Sequence, residues 1–62
     1  MFFNISEDMK IARELLNITQ EELADELNVE PLTIKRIENG ITNTSKRTLN
    51  VFYDFIYQKK IL

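Results

Sequence analysis

Glycine and proline occur once each in this chain, at Gly40 and Pro31, and no stretch alternates polar with apolar residues over the length of a strand. The apolar residues recur instead at three and four, the period of one helix face. Packed helices are therefore the fold class that the pattern allows. A chain of 62 residues makes one domain, since domains average about 100–150 residues. A core of that size usually nets about 3–5 kcal/mol, so residues 1–62 must be idealised helix packing, a dimer, or one piece of something larger.

Cysteine and histidine are absent. Their absence removes disulfides, the usual zinc sets, thiol nucleophiles and imidazole bases in one step. The remaining groups offer no nucleophile beside a base and no phosphate loop, and Glu21, Glu22, Asp25 and Glu26 cluster as a solvated helix surface does. We therefore expect no enzyme, no metal and no cofactor. No apolar run approaches the roughly 18 residues of a membrane span, and Met1-Phe2-Phe3-Asn4 lacks the basic-then-apolar layout of a signal peptide. The expectation is a cytoplasmic protein with no membrane partner.

The net charge of −2 hides a division. Residues 1–30 carry two cations against eight carboxylates, a net −6, whereas residues 31–62 carry six against two, a net +4. One acidic and one basic face would follow, and the basic one suits a polyanion.

Four helices can be placed. The first takes Ser6 as its cap, with Glu7 and Asp8 complementing the dipole, and runs to Leu16 with Met9, Ala12, Leu15 and Leu16 inward. Ile18-Thr19-Gln20-Glu21-Glu22-Leu23 is the strongest local signal: Thr19 caps, Glu22 returns the bond, and Ile18 staples onto Leu23. That second helix starts at Gln20, buries Leu23, Ala24 and Leu27, and stops at Leu27 because Asn28 tolerates the left-handed conformation. Glu30-Pro31 opens the third, which points Ile34 and Ile37 inward and is closed by Gly40. Ser45 caps the fourth, over residues 46–60. Leu49, Phe52, Tyr53 and Ile56 form one stripe of this helix, and Val51, Phe55 and Leu62 a second. One small core can hardly absorb both, so the second stripe must meet Phe2, Phe3 and Ile5 or find a dimer mate or protein partner.

A short helix, a tight turn and a second short helix, over residues 20–39, make a helix-turn-helix layout. Arg13, Ile18-Thr19-Gln20-Glu21-Glu22-Leu23-Ala24, Leu27-Asn28-Val29, Ile34, Ile37-Glu38-Asn39-Gly40, Ser45 and Leu49 together resemble the Cro/CI repressor-like, or Xre, helix-turn-helix domains. The resemblance implies a compact all-α bundle of four to five helices, lambda repressor-like, that binds double-stranded DNA, usually as a dimer on a two-fold site. It implies that Arg13 and Glu38 form a structural ion pair. It further implies phosphate contacts from Gln20 at the start of the second helix, from Asn39 with the 40–43 backbone including Asn43, and from Lys46 and Arg47. A third helix over residues 31–39 would present Leu32, Thr33, Lys35 and Arg36 to the major groove. Arg36 suits guanine, Lys35 a base or a phosphate, and Leu32 a thymine methyl or another apolar surface.

Where family members often place strong hydrogen bonders, this chain has Glu30-Pro31-Leu32. Two functions follow as expectations. One is a transcriptional regulator, a repressor, reading DNA by sequence. The alternative is an antitoxin or adaptor module that uses the same fold and its apolar fourth helix mainly for protein contact, through a homodimer, a separate partner, or a further domain after Leu62.

Overall fold

In the computed structural model, which describes residues 4–61, the chain forms α1 (Ile5–Leu16), α2 (Gln20–Leu27), α3 (Pro31–Glu38) and α4 (Lys46–Lys59). No strand and no fifth helix occur among the described residues. The helix starts follow capping chemistry. Thr19 Oγ1 accepts from the Glu22 amide at 3.0 Å while Glu22 accepts from the Thr19 amide at 2.8 Å, closing the capping box that the sequence predicts. Pro31 occupies the first position of α3, and Ser45 caps α4 by accepting from the Thr48 amide. The start of α1 differs from expectation. Asn4, not Ser6, is its cap, because the Asn4 side chain reaches the amides of both Ser6 and Glu7, at 3.0 and 3.3 Å. Ser6 is thereby released for a tertiary bond, its hydroxyl donating to the Glu38 carbonyl at 2.6 Å.

The helix ends share one device. Asn17, Asn28 and Lys60 each adopt φ 57° and Gly40 adopts φ 69°. The residue after each, Ile18, Val29, Ile61 or Ile41, turns its amide back to a carbonyl in the last helical turn. Asparagine takes this left-handed conformation at less cost than other side chains bearing a Cβ. Asn28→Ala is therefore expected to destabilise the domain by about 1–2 kcal/mol, and Asn28→Gly to leave it unharmed. Thermal melts of the two variants check the contrast.

The core is made of Met9 and Ala12 from α1, Leu23, Ala24 and Leu27 from α2, Ile34 and Ile37 from α3, and Phe52 and Ile56 from α4. α2 packs on α3 and α4, and α1 packs on α3. Leu15 does not join them. It is 59% exposed, since it lies on the flank of the stripe through Met9, Ala12 and Leu16, and Asp8 takes the buried position on the other flank. The Asp8 carboxylate is satisfied across the domain by the Tyr53 hydroxyl, which donates to it at 2.6 Å. Burial and this bond to a carboxylate push the Tyr53 phenol well above its ordinary range.

Both stripes of α4 reach the core. Thr48, Phe52 and Ile56 are buried, Leu49 and Tyr53 half-buried, and Val51 and Phe55 half-buried against the same cluster. The partner surface expected from Val51, Phe55 and Leu62 is thus partly engaged within the domain at its first two residues. Leu62, like Phe2 and Phe3, lies outside the described residues. Among those described, no helix is long and apolar enough to cross a membrane.

Candidate nucleic-acid interface

α3 is eight residues long, and its two faces have different fates. Ile34, Ile37 and Glu38 are buried, whereas Leu32, Lys35 and Arg36 are exposed and follow one another at the three- and four-residue spacing of a single face. Leu32 is 51% exposed. Thr33 is half-buried at the edge of that face. Pro31 has no amide hydrogen to offer, and Glu30, just before it, makes no capping bond and no ion pair among the described residues, which leaves its exposed carboxylate uncommitted there.

The first turn of α4 stands beside this face. Thr33, Arg36, Asn43, Thr44, Ser45 and Thr48 line a concavity between α3 and the start of α4. Lys46 and Arg47 are the first two residues of α4 and are exposed, a placement that opposes the helix dipole. Ion pairs among the described residues join only Lys10 to Glu7 and Arg13 to Glu38. The cations of Lys35, Arg36, Lys46 and Arg47 therefore stand unneutralised on neighbouring elements. The acids of α2 gather elsewhere: Glu22, Asp25 and Glu26 line a groove with Leu16, Ile18 and Phe55, in which the Lys59 ammonium lies 5.6 Å from the Phe55 ring centre.

Behind α3 the expected ion pair is present and two-pronged. Arg13 Nε donates to Glu38 Oε2 at 2.6 Å and Nη2 donates to Oε1 at 2.9 Å. A third donor of the same guanidinium reaches the Ile18 carbonyl at 3.2 Å and so ties the turn before α2 to the pair. Burial alone would push the Glu38 carboxyl up, but hydrogen bonds from Arg13 and Gln20 outweigh it and hold the group below the usual carboxylate range. The same bond raises the Arg13 guanidinium, against the opposing effect of its burial.

Gln20, expected to contact a phosphate, also has a partner within the domain. Its amide nitrogen donates to Glu38 Oε1 at 3.0 Å, which uses one of two amide hydrogens. Asn39 ends α3 with an exposed side chain that makes no hydrogen bond among the described residues, and Asn43 is exposed on the connector. Two polar features escaped sequence reasoning. One is the Ser6 bond to the Glu38 carbonyl, which spans 32 positions and leaves no local pattern to find. The other is Thr44, whose buried hydroxyl oxygen, in the concavity beside Arg36, has no hydrogen-bond partner among the described residues.

A helix-turn-helix family model matches residues 9–50, which takes in all of α2 and α3 and the first turn of α4. The chain belongs to the Cro/CI-like, or Xre, helix-turn-helix family. Comparison with curated proteins and with solved structures returned no match. Xre-type domains are DNA-binding modules of transcription regulators. The matched span contains Arg13, Gln20, Glu38 and the exposed cations Lys35, Arg36, Lys46 and Arg47. In this Xre-type chain α1, which precedes the α2–turn–α3 pair, supplies the arginine that is bonded to the end of α3.

Proposed function

We propose that this protein is a sequence-specific double-stranded DNA-binding repressor of the lambda repressor-like kind, which lays α3 in the major groove. The observation that carries the reading is a group of four exposed cations with no ion pair among the described residues, Lys35 and Arg36 on the exposed face of α3 beside Lys46 and Arg47 on α4. Arg36 reads a guanine through its two-pronged guanidinium, Leu32 and Thr33 meet neighbouring base edges, and Lys35 contacts a base or a phosphate. Gln20, Asn39, Asn43, Lys46 and Arg47 hold the phosphates. The longest extent of the domain is 26 Å, short of the about 34–36 Å that separates half-sites one helical turn apart. A two-fold dimer then covers a full operator.

Arg36→Ala is expected to weaken operator binding by about 1–3 kcal/mol and to relax preference at one base pair. Lys46→Ala should instead weaken binding to every sequence alike and reduce the salt slope by about one unit. A binding-site selection with each variant separates these outcomes, and an unchanged preference in Arg36→Ala would remove α3 as the reader.

Leu32, exposed beside the uncommitted Glu30, favours a second reading in which the same face contacts a protein. Fluorescence anisotropy against promoter DNA of its own operon and a shuffled duplex, from about 50 to 200 mM salt, decides between them. Promoter preference that persists at the higher salt supports the repressor. Equal, salt-fragile binding to both duplexes, or none, would turn the search toward an antitoxin or adaptor role.

A further inference from the structure

We propose that Glu38 is a positioning residue for DNA binding: its carboxylate, clamped by Arg13, holds the Gln20 amide in the orientation that meets a phosphate. The inference rests on the DNA-binding function proposed above.

Glu38 is the last residue of α3 and is 3% exposed. One oxygen accepts from Arg13 Nε at 2.6 Å, and the other accepts from both Arg13 Nη2 at 2.9 Å and Gln20 Nε2 at 3.0 Å. Its backbone carbonyl accepts the Ser6 hydroxyl at 2.6 Å. Side chains from α1 and α2 thus converge on the end of α3. A glutamine in the first turn of a helix ordinarily samples many rotamers, and its ordering opposes any contact it makes. Here the ordering is already accomplished in the folded domain. The planar amide has a second N–H, which the Glu38 bond leaves uncommitted while fixing its direction.

The residue types fit this division of labour. Glutamine is neutral and carries two amide hydrogens, so one side chain can serve a buried carboxylate and an external phosphate together. The Glu38 charge would repel that phosphate if it stood alone, but the Arg13 guanidinium on the same carboxylate offsets it. The N-terminus of α2 adds backbone amides that no helical carbonyl satisfies. The end of the groove-facing helix is thereby linked to the phosphate-facing end of α2 by a side-chain bond, in addition to the turn between them.

A double-mutant cycle on DNA affinity tests this, with wild type, Gln20→Ala, Glu38→Gln and the double variant, each shown by circular dichroism to be folded at the assay temperature. Gln20→Ala is expected to weaken binding about tenfold, the loss of one charge-assisted hydrogen bond. Glu38→Gln should weaken it by a similar factor, and the double variant no further than Gln20→Ala alone. Losses that multiply, or wild-type affinity in folded Glu38→Gln, would overturn the positioning role. Should Glu38→Gln not fold, the wild-type protein supplies the readout by NMR. The Gln20 side-chain amide protons are expected to exchange more slowly than those of exposed Asn50, whose side chain makes no hydrogen bond among the described residues, and to keep that protection in the DNA complex. Protection equal to Asn50, or lost on binding DNA, would overturn it. A wild-type protein that binds no DNA overturns both the function and this inference, whereas multiplying losses on a tight-binding wild type overturn the inference alone.

Discussion

Truncating Glu38 to alanine is expected to lower the stability of this domain by about 3–5 kcal/mol, the cost of removing one member of a buried charge pair. The two halves of the pair differ in exposure. The Arg13 side chain keeps 22% of its surface in solvent and Glu38 only 3%, so a stranded guanidinium can turn toward water more readily than a stranded carboxylate. Glu38→Ala should accordingly fall at the lower end of that range, and Arg13→Ala at the upper end. At about 4–8 °C per kcal/mol for a domain of this size, either loss is plain in a thermal melt. Replacing both residues by apolar side chains of similar volume should restore most of the stability. An unchanged melting temperature in the single variants would remove the pair from the forces that hold α1 to α3.

The same pair gives the domain a defined acid response. Because Glu38 titrates lower in the folded protein than in the unfolded chain, its contribution is complete at neutral pH. It begins to fall below about 4.3, the ordinary glutamate value, and is gone once the pH passes beneath the folded-state value. The melting temperature of wild type should therefore decline over that acid interval more steeply than that of the variant with the pair replaced.

Phe52→Ala is the second large effect, expected at about 3–5 kcal/mol for loss of a fully buried aromatic ring. Phe52 is 0% exposed and meets the Tyr53 ring edge-on at 5.0 Å between centres. It lies in the single cluster that α4 shares with the other three helices, so no second core can compensate. Loss of the ring should therefore loosen α4 and with it the placement of Lys46 and Arg47 at its start. Urea unfolding followed by circular dichroism is expected to show a lower midpoint, with DNA affinity falling in parallel. Tyr57→Ala on the same helix serves as the contrast. Tyr57 is 79% exposed, and its removal should change stability by no more than about 0.5 kcal/mol. A Phe52→Ala protein with wild-type stability would mean that α4 is not part of the cooperative unit.

Much of this molecule was legible residue by residue. The capping box at Thr19, the proline at the start of α3 and the asparagines and glycine that end three helices act over a few positions, so local patterns reveal them. The misjudgements have equally physical causes. Ser6 and Asn4 are both good caps two positions apart; Asn4 takes the cap, and the Ser6 hydroxyl goes to a carbonyl of Glu38 that no local rule can see. Leu15 is as apolar as Leu16, but a helix of this width buries only one stripe, and the rotation of α1 was set by Met9 and Ala12 against α3. At the site, the exposure of Lys35 and Arg36 followed from helical periodicity, whereas the commitment of Gln20 to Glu38 did not.

The four helices, the limits of α2, the starts of α3 and α4 and the paired charges of Arg13 and Glu38 could therefore be read from sequence, the helices from local patterns and the pair from a family resemblance. The tertiary structure decided which surfaces those helices turn to one another. It set Asp8 against Tyr53, brought Ser6 and Gln20 to the end of α3, and drew both stripes of α4 toward one core. The reason is the range of the forces involved. Caps, turns and periodicity act within a helical turn or two, but a hydrogen bond across 18, 32 or 45 positions exists only once the packing of apolar faces has brought its partners together.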